Sequence, residues 1–251
     1  MVKVKKILVS QPSPQTEKSP YFDIAEKYGV QMDFKPFIRV EGLDAKEFRQ
    51  QKINIPEYSA IIFTAKVAID HFFALCEEMR ITMPEDMKYF CISEAVALYL
   101  QKYIVYRKRK IFFSTTGKMD GLATSLTKHN KDNFLMPVSD VHKDDITAVL
   151  EEKKIKYTKA VMYRTVSNEF TEAEIMSYDM FIFFSPAGIV SLFKNAPHFE
   201  QGDKAIGCFG AATAKAVKDA NLTLNCEAPL PGIPSMTAAL ENFLKENHKK
   251  K

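Results

Sequence analysis

The chain has 251 residues, 46% apolar, 26% charged and 12% aromatic, enough for one large domain or two smaller ones, and this excludes disorder and fibres. Thirty-five Lys and Arg against 31 Asp and Glu leave a net charge of +4, which disfavours wholesale nucleic-acid binding, and a mean hydropathy of -0.18 leaves no room for a membrane protein. Nine glycines in 251 are about half the usual share of about 7%, so a glycine-dense phosphate or dinucleotide loop is not expected. Cys76, Cys91, Cys208 and Cys226 form no C-x-x-C pair, which argues against a disulfide framework or a zinc site and suits packing residues in a reducing compartment. The opening MVKVKKILVSQPSP has too short an apolar stretch for a signal-peptide core. Nowhere do about 18 apolar residues run together, so the expected location is the cytoplasm.

Short β-branched or aromatic runs alternate with helical stretches, the pattern of parallel strands joined by crossover helices. The spacing predicts strands at Lys6–Ser10, Ala60–Thr64, Tyr89–Ser93, Ile111–Thr115, Phe134–Pro137, Met180–Ser185 and Ala205–Gly210. Helices are predicted at Ser19–Tyr28, Val67–Glu78, Ala95–Lys102, Met119–His129, Asp144–Glu152, Gly188–Lys194, Thr213–Ala220 and Ser235–Asn247. The class is α/β.

A weak internal repeat organises the chain. IIFTAKVAIDHFF from Ile61 reads like FIFFSPAGIVSLF from Phe181, and YFCISEAVALYL from Tyr89 is echoed by IGCFGAATAKAV from Ile206. The copies suggest paralogous halves, each a small doubly wound sheet. The second half has too few strands to close a sheet unless the N-terminal strand joins it. The expected organisation is therefore a discontinuous domain, residues 1–36 and 168–251, with residues 37–167 inserted. Two segments then cross together, Pro36–Gly42 and Tyr157–Val166, and both suit a two-stranded hinge.

Ligands of doubly wound sheets bind at the carboxyl ends of the strands. Here those ends are Ser10 and Gln11, Thr64 to Lys66, Ser93 and Glu94, Ser114 to Lys118, Ser139 to Lys143, Ser185 to Gly188 and Gly210 to Thr213. Hydroxyls and small residues in such turns offer N–H groups and helix N-termini to an anion, although each alone serves equally as a helix cap. The chain has no G-x-S-x-G, G-x-x-x-x-G-K-[ST], G-x-G-x-x-G or H-E-x-x-H motif. Its histidines, His71, His129, His142, His198 and His248, show no metal-ligand spacing. The basic run YRKRK at 106–110 reads as a solvated connection before a strand. What remains is an anion-friendly cleft between two domains without nucleophile, base, metal or cofactor, suited to catalysis by orientation.

These residues resemble the uroporphyrinogen-III synthases of haem biosynthesis over nearly the whole chain. IIFTAKVAI at 61–69 is similar to the family's strand ending in Phe-Thr-Ser, and FFSPAGI at 183–189 to its Ser-Pro-Ser-Gly turn. FGAATAKAV at 209–217 resembles its Ile-Gly-x-x-Thr-Ala-x-Ala segment, and PGIPSMTAALENFL at 231–244 its closing helix. VMYRTV at 161–166 resembles the linker strand that carries the family's best catalytic candidate, here Tyr163. The resemblance implies two flavodoxin-like doubly wound domains tied by a two-stranded β-ladder, the first discontinuous. Three turns depart from the family pattern. Ser93-Glu94-Ala95-Val96 stands where relatives have Gly-x-x-Thr, Gln11-Pro12 where bacterial relatives have Arg-Pro, and Lys143 stands for a basic residue after Ser139.

The reaction implied is cyclisation of hydroxymethylbilane, a linear tetrapyrrole with eight carboxylates, with inversion of ring D and loss of water through a spiro-pyrrolenine. Neither a cofactor nor a metal is implied. Tyr163 is the expected proton donor, and Thr64, Ser185, Ala187, Gly188, Ala212 and Thr213 are the expected anchors, with Lys66 and Lys143 as ion-pair partners. Partners would be the small-molecule substrate, delivered by the preceding deaminase, with neither nucleic acid nor membrane, and the chain would be a monomer. The alternative is a non-catalytic two-domain binding protein closing on a small anion.

Overall fold

The computed structural model describes residues 4–16, 18–142 and 145–248, the side chains of 145, 146 and 248 excepted. In chain order it runs β1 (Lys6–Val9), α1 (Pro20–Tyr28), β2 (Gln31–Phe34), β3 (Ile38–Gly42), α2 (Ala45–Arg49), β4 (Ala60–Phe63), α3 (Lys66–Glu78), β5 (Lys88–Cys91) and α4 (Glu94–Tyr99). It continues through β6 (Ile111–Phe113), α5 (Ala123–Lys128), β7 (Phe134–Ser139), α6 (Asp145–Glu152), β8 (Tyr157–Ser167), α7 (Glu172–Met176) and β9 (Met180–Phe183). It ends with α8 (Pro186–Asn195), β10 (Ala205–Phe209), α9 (Ala211–Asp219), β11 (Cys226–Ala228) and α10 (Met236–His248). Among the described residues no helix is long and apolar enough to cross a membrane. The chain divides into two compact units, Met1–Arg39 with Val166–Lys251, and Val40–Thr165.

The first unit holds a parallel sheet in the order β11-β10-β9-β1-β2. Its central strands are apolar through their buried positions because both faces are covered. Leu8, Phe181, Phe183, Ile206 and Cys208 pack into one layer. Ile7, Val9, Met180, Ile182 and Ala205 pack into the other. Counted within the unit, the order is 2-1-3-4-5, that of flavodoxin. Phe37 is fully buried, stacks on Phe170 at 4.4 Å, and its carbonyl accepts the Ser191 hydroxyl at 2.6 Å.

The second unit holds a six-stranded sheet, β3-β8-β7-β4-β5-β6, in which β8, β7, β4, β5 and β6 are parallel. Ile61, Phe63, Tyr89, Cys91 and Leu135 form one layer. Ala60, Ile62, Phe90, Phe134 and Met136 form the other. Setting β3 aside, the order within this unit is 3-2-1-4-5, a second doubly wound order. The doubly wound parallel character is common to both. Of the two segments expected to form a hinge ladder, β3 and β8 do lie side by side, but β8 also pairs with β7 from Phe134↔Tyr157 onward and is a full member of the sheet.

The internal repeat is a local βαβα unit rather than a whole half, because β4-α3-β5-α4 and β9-α8-β10-α9 sit in sheets of different order. Locally the match is close. Ala65 before α3 has φ -154° and ψ 155°, and Ser185 before α8 has φ -154° and ψ 152°. The second pair diverges, since Ser93 before α4 is extended at φ -155° while Gly210 before α9 takes φ 91°, a conformation that favours glycine.

Phe37→Ala should destabilise the first unit by about 3–5 kcal/mol, the cost of a large buried aromatic cavity. Urea unfolding of the full chain measures this, and a loss below about 1 kcal/mol would show that the Phe37 site collapses freely or is not packed.

Candidate functional site

The central strands of both sheets are covered on both faces by apolar layers, so chemistry is expected at the strand ends, above all where strand order reverses. In the first unit that reversal lies between β1 and β9. Ser10 follows β1, and its N–H donates to the Ile182 carbonyl at 2.9 Å while its Oγ accepts the Phe37 N–H at 3.2 Å. Ser185 caps α8: its Oγ and its carbonyl both accept the Gly188 N–H, at 3.3 and 3.1 Å. The Gly188 N–H is therefore spent inside the helix, against the expectation that it anchors a ligand. Its lack of a side chain serves packing instead, since a Cβ there would lie 3.0 Å from the Phe183 ring.

Ala187 keeps an N–H that no described residue takes. In α9 the Gly210 carbonyl accepts the N–H groups of Thr213 and Ala214, leaving Ala212 in the open first turn, and Gly210 supplies no side-chain cap. Thr213 is only 2% exposed, so its hydroxyl offers little surface to a ligand.

In the second unit the order reverses between β4 and β7. Thr64 follows β4, half-buried, and its hydroxyl makes no hydrogen bond among the described residues. The residue that precedes α3 is Ala65, which cannot cap it, so the first N–H groups of α3 lack a side-chain acceptor. Lys66 is exposed with its Nζ 5.4 Å from the Tyr99 ring centre, and no described carboxylate lies within ion-pair distance of it. Lys143 lies outside the described residues.

Tyr163 owes its position to an irregularity in β8. The register runs Val138↔Val161 and then Ser139↔Tyr163, so Met162 is an extra residue. Successive strand residues normally alternate faces, but the shift brings Met162 and Tyr163 into the same layer as Ala160. There the Tyr163 ring stacks on His71 of α3, with centres 5.1 Å apart and planes 21° from parallel. His71 is braced from behind by Gly42, where a Cβ would stand 2.8 Å from the imidazole Nδ1.

Tyr163 is 9% exposed, and its phenol makes no hydrogen bond among the described residues. Burial raises its pKa above the usual tyrosine value, and Asp140 raises it further. Burial also holds His71 below its usual value, outweighing the opposite pull of Asp70. At neutral pH the stacked pair is therefore uncharged, with a protonated phenol as its polar tip.

Sequence reasoning passed over three neighbours of Tyr163. His71 reads as an isolated histidine in the chain, and only the α3–β8 contact gives it a partner. Asp140, just past β7, accepts from the Ser139 hydroxyl and the Val141 N–H at 2.8 Å each, and its own N–H donates to the Tyr163 carbonyl at 3.0 Å. Arg164 reaches Glu47 at 2.7 Å and Glu41 at 2.9 Å, fastening β8 to α2 and β3 beside the tyrosine. Of the three, Asp140 alone carries a sequence signal, its place in the strand-end turn Ser139 to Lys143, whereas His71 lies within α3 and Arg164 within β8. Among the described residues no group of His, Cys, Asp and Glu is arranged to hold a metal ion, and all four cysteines are free.

His71 has its pKa lowered on folding, so the stability it contributes is present above about 6.5, its unfolded value, and is lost as pH falls through the folded value. An NMR titration should place the His71 midpoint below that of a free histidine, and Tyr163→Ala, which opens the stacked face to water, should move it back up. A His71 midpoint at or above the free value would contradict the stacked, desolvated arrangement.

No curated protein matches the chain in sequence. The uroporphyrinogen-III synthase of Helicobacter pylori 26695 superposes with a TM-score of 0.60 at 16% identity, over 96% of this chain and 99% of that one. A mutant uroporphyrinogen III synthase of the extreme thermophile Thermus thermophilus gives 0.52 at 13% identity, over 98% and 100%. At these identities the likeness establishes the fold. The sequence model of the family described as uroporphyrinogen-III synthase HemD matches residues 20–238. The chain belongs to the uroporphyrinogen-III synthase family, cyclising lyases of haem biosynthesis.

Proposed function

We propose that this chain cyclises hydroxymethylbilane to uroporphyrinogen III, inverting ring D and releasing water. Family membership supports the reaction class. The observation that carries the assignment of roles is the Tyr163 phenol, protonated, unengaged and held flat against a neutral His71 at the carboxyl end of a parallel sheet.

The phenol donates its proton to the substrate hydroxyl as the carbon–oxygen bond breaks, so that water leaves and an azafulvenium cation remains, its pyrrole N–H retained. The substituted carbon of ring D attacks that electrophile, forming a carbon–carbon bond and a spiro-pyrrolenine. Fragmentation of the neighbouring bond and reclosure at the other side of ring D complete the inversion. The proton lost as the last pyrrole regains aromaticity replaces the one that the phenol gave, and the net change is loss of one water. Unguided bilane closes directly to the type I isomer, so the protein's main contribution is orientation.

Each unit offers carboxylate anchors of its own. In the second unit these are the Thr64 hydroxyl and Lys66, with Lys143 proposed as a further cation. In the first they are the N–H groups of Ala187 and Ala212 at the starts of α8 and α9. Ser185 and Gly188 support this edge by shaping α8, and Thr213 by packing under α9. We further propose that residues 1–36 with 168–251 and residues 37–167 act as two domains, and that the protein works without a cofactor as a cytoplasmic monomer supplied by the deaminase that makes the bilane.

Fed with bilane from a coupled deaminase, the purified protein should convert most of it to the type III isomer, resolved from type I after oxidation to porphyrins. Unchanged type I product would refute the proposed activity. Because the anchors are shared among many groups, Thr64→Ala and Ser185→Ala should each lower kcat/KM by no more than about tenfold, in line with single hydrogen bonds or caps of about 1 kcal/mol. Abolished turnover in either, with the fold intact, would contradict distributed anchoring.

A further inference from the structure

The second unit has a cleft of about 520 Å³ that the reading so far leaves unused. It lies at the amino ends of β5 and β6 beside the last turns of α3, whereas Tyr163 pairs with the last residue of β7 at the carboxyl edge. Doubly wound sheets place their substrate sites at carboxyl ends, so the topology does not account for this cleft. Its size is that of a small-molecule site. Phe73, Ile81, Met83, Met87, Ile104 and Ile111 give it apolar walls.

Two tyrosines line it, and their phenols differ. Tyr103 stacks on Phe73 with centres 4.6 Å apart, and its hydroxyl donates to Asp70. Tyr89 is only 4% exposed, and its hydroxyl makes no hydrogen bond among the described residues. Among those residues every side-chain oxygen or nitrogen sealed from solvent has a partner. The Tyr89 oxygen is therefore not sealed, and the cleft is the open space that the residue borders. Burial keeps this phenol protonated and pushes the Cys76 thiol, also in the lining, up to about 12. The inner wall can thus donate a hydrogen bond but carries no charge.

Charge lies on the outer side. Arg107 and Lys110 line the cleft, and the run 106–110 to which they belong has four cations against the two carboxylates of the lining, Glu77 and Glu85. Glu85 pairs with Arg107 at 3.3 Å, but its side chain is 87% exposed, and such a surface pair is readily exchanged for another anion.

We propose that this cleft is a second ligand site, taking an apolar molecule with a hydrogen-bond acceptor at its inner end, on the Tyr89 phenol, and a carboxylate at its outer end, on Arg107 and Lys110. Without the acceptor the phenol would be covered and left unpaired, and without the carboxylate the two cations would gain nothing. No residue of the cleft belongs to the proposed catalytic or anchoring set.

The probe is para-acetylphenylbutyrate, a benzene ring with a ketone at one end and a carboxylate at the other. Its titration into the full chain is followed by backbone amide NMR, with thermal melts to show that each variant is folded. A ligand of this size should bind with Kd of roughly 0.1–1 mM and shift the amides of Ile81, Met87, Tyr89 and Ile104. Tyr89→Phe, which removes only the hydroxyl, should weaken binding by about fivefold to tenfold. Phenylbutyrate, which lacks the ketone, should bind the wild type more weakly by the same factor and lose nothing further in Tyr89→Phe. The double variant Arg107→Gln, Lys110→Gln should weaken the acid but not its methyl ester. Absence of saturable shifts at the cleft at about 5 mM probe would overturn the site. Equal affinity of the ketone probe for wild type and Tyr89→Phe would also overturn it, as would a methyl ester that binds the wild type as tightly as the acid. If Tyr89→Phe does not fold, the two acids compared on the wild type decide, and equal affinity there overturns the acceptor site.

Discussion

Burial of both faces of a parallel sheet is the constraint on which the rest of this molecule depends. Strands such as Ala60–Phe63 and Met180–Phe183 have no solvent-facing side, so every polar group capable of chemistry is displaced to the strand ends. That displacement is costly to violate, because a polar side chain within either layer would need a partner that the apolar surroundings cannot supply. Hydroxyls, helix starts and the few functional rings therefore gather at the carboxyl edges, where the crossover helices begin.

Within that constraint one local irregularity positions the phenol proposed as the proton donor. Without the register shift in β8, strict alternation would set Tyr163 on the face opposite Met162 and away from the layer that it shares with Met162 and Ala160. The bulge, the Gly42 contact behind His71 and the Arg164 pairs with Glu41 and Glu47 together hold the phenol in one place. Its protonation follows from the same burial that positions it. Asp140 adds to this by disfavouring a phenolate nearby, so packing and acid–base state have a common origin.

The central strands were legible in the sequence because burial on two faces makes them short, continuous apolar runs. β2, with Gln31 exposed at an edge, and the three-residue β11 lack that signature, and the five-residue helices α2 and α7 are too short for a helical period to show. The region expected to be one helix from Met119 to His129 begins as a 3-10 turn at Met119–Leu122 and becomes α5 only from Ala123. The turns around Thr64, Ser185 and Gly210 do follow β4, β9 and β10, but the use of each atom in them was not legible. The Gly188 N–H is consumed by Ser185, and Thr213 is packed away, because capping and packing are settled by neighbours that no motif records. The strand order of the second unit and the pairing of His71 with Tyr163 depend on contacts far apart in the chain. Nothing in local patterning encodes them.

The proposed function turns on a positioned neutral phenol assisting loss of the substrate hydroxyl. Tyr163→Phe keeps the ring stacked on His71 and removes only the proton. Steady-state kinetics with bilane should show kcat falling by roughly 10²-fold or more while KM changes little, the pattern of a lost general acid. The fraction of type I product should rise as unguided closure overtakes the slowed enzyme. A Tyr163→Phe protein with wild-type kcat and wild-type type III yield would contradict the claim and leave orientation alone to account for catalysis.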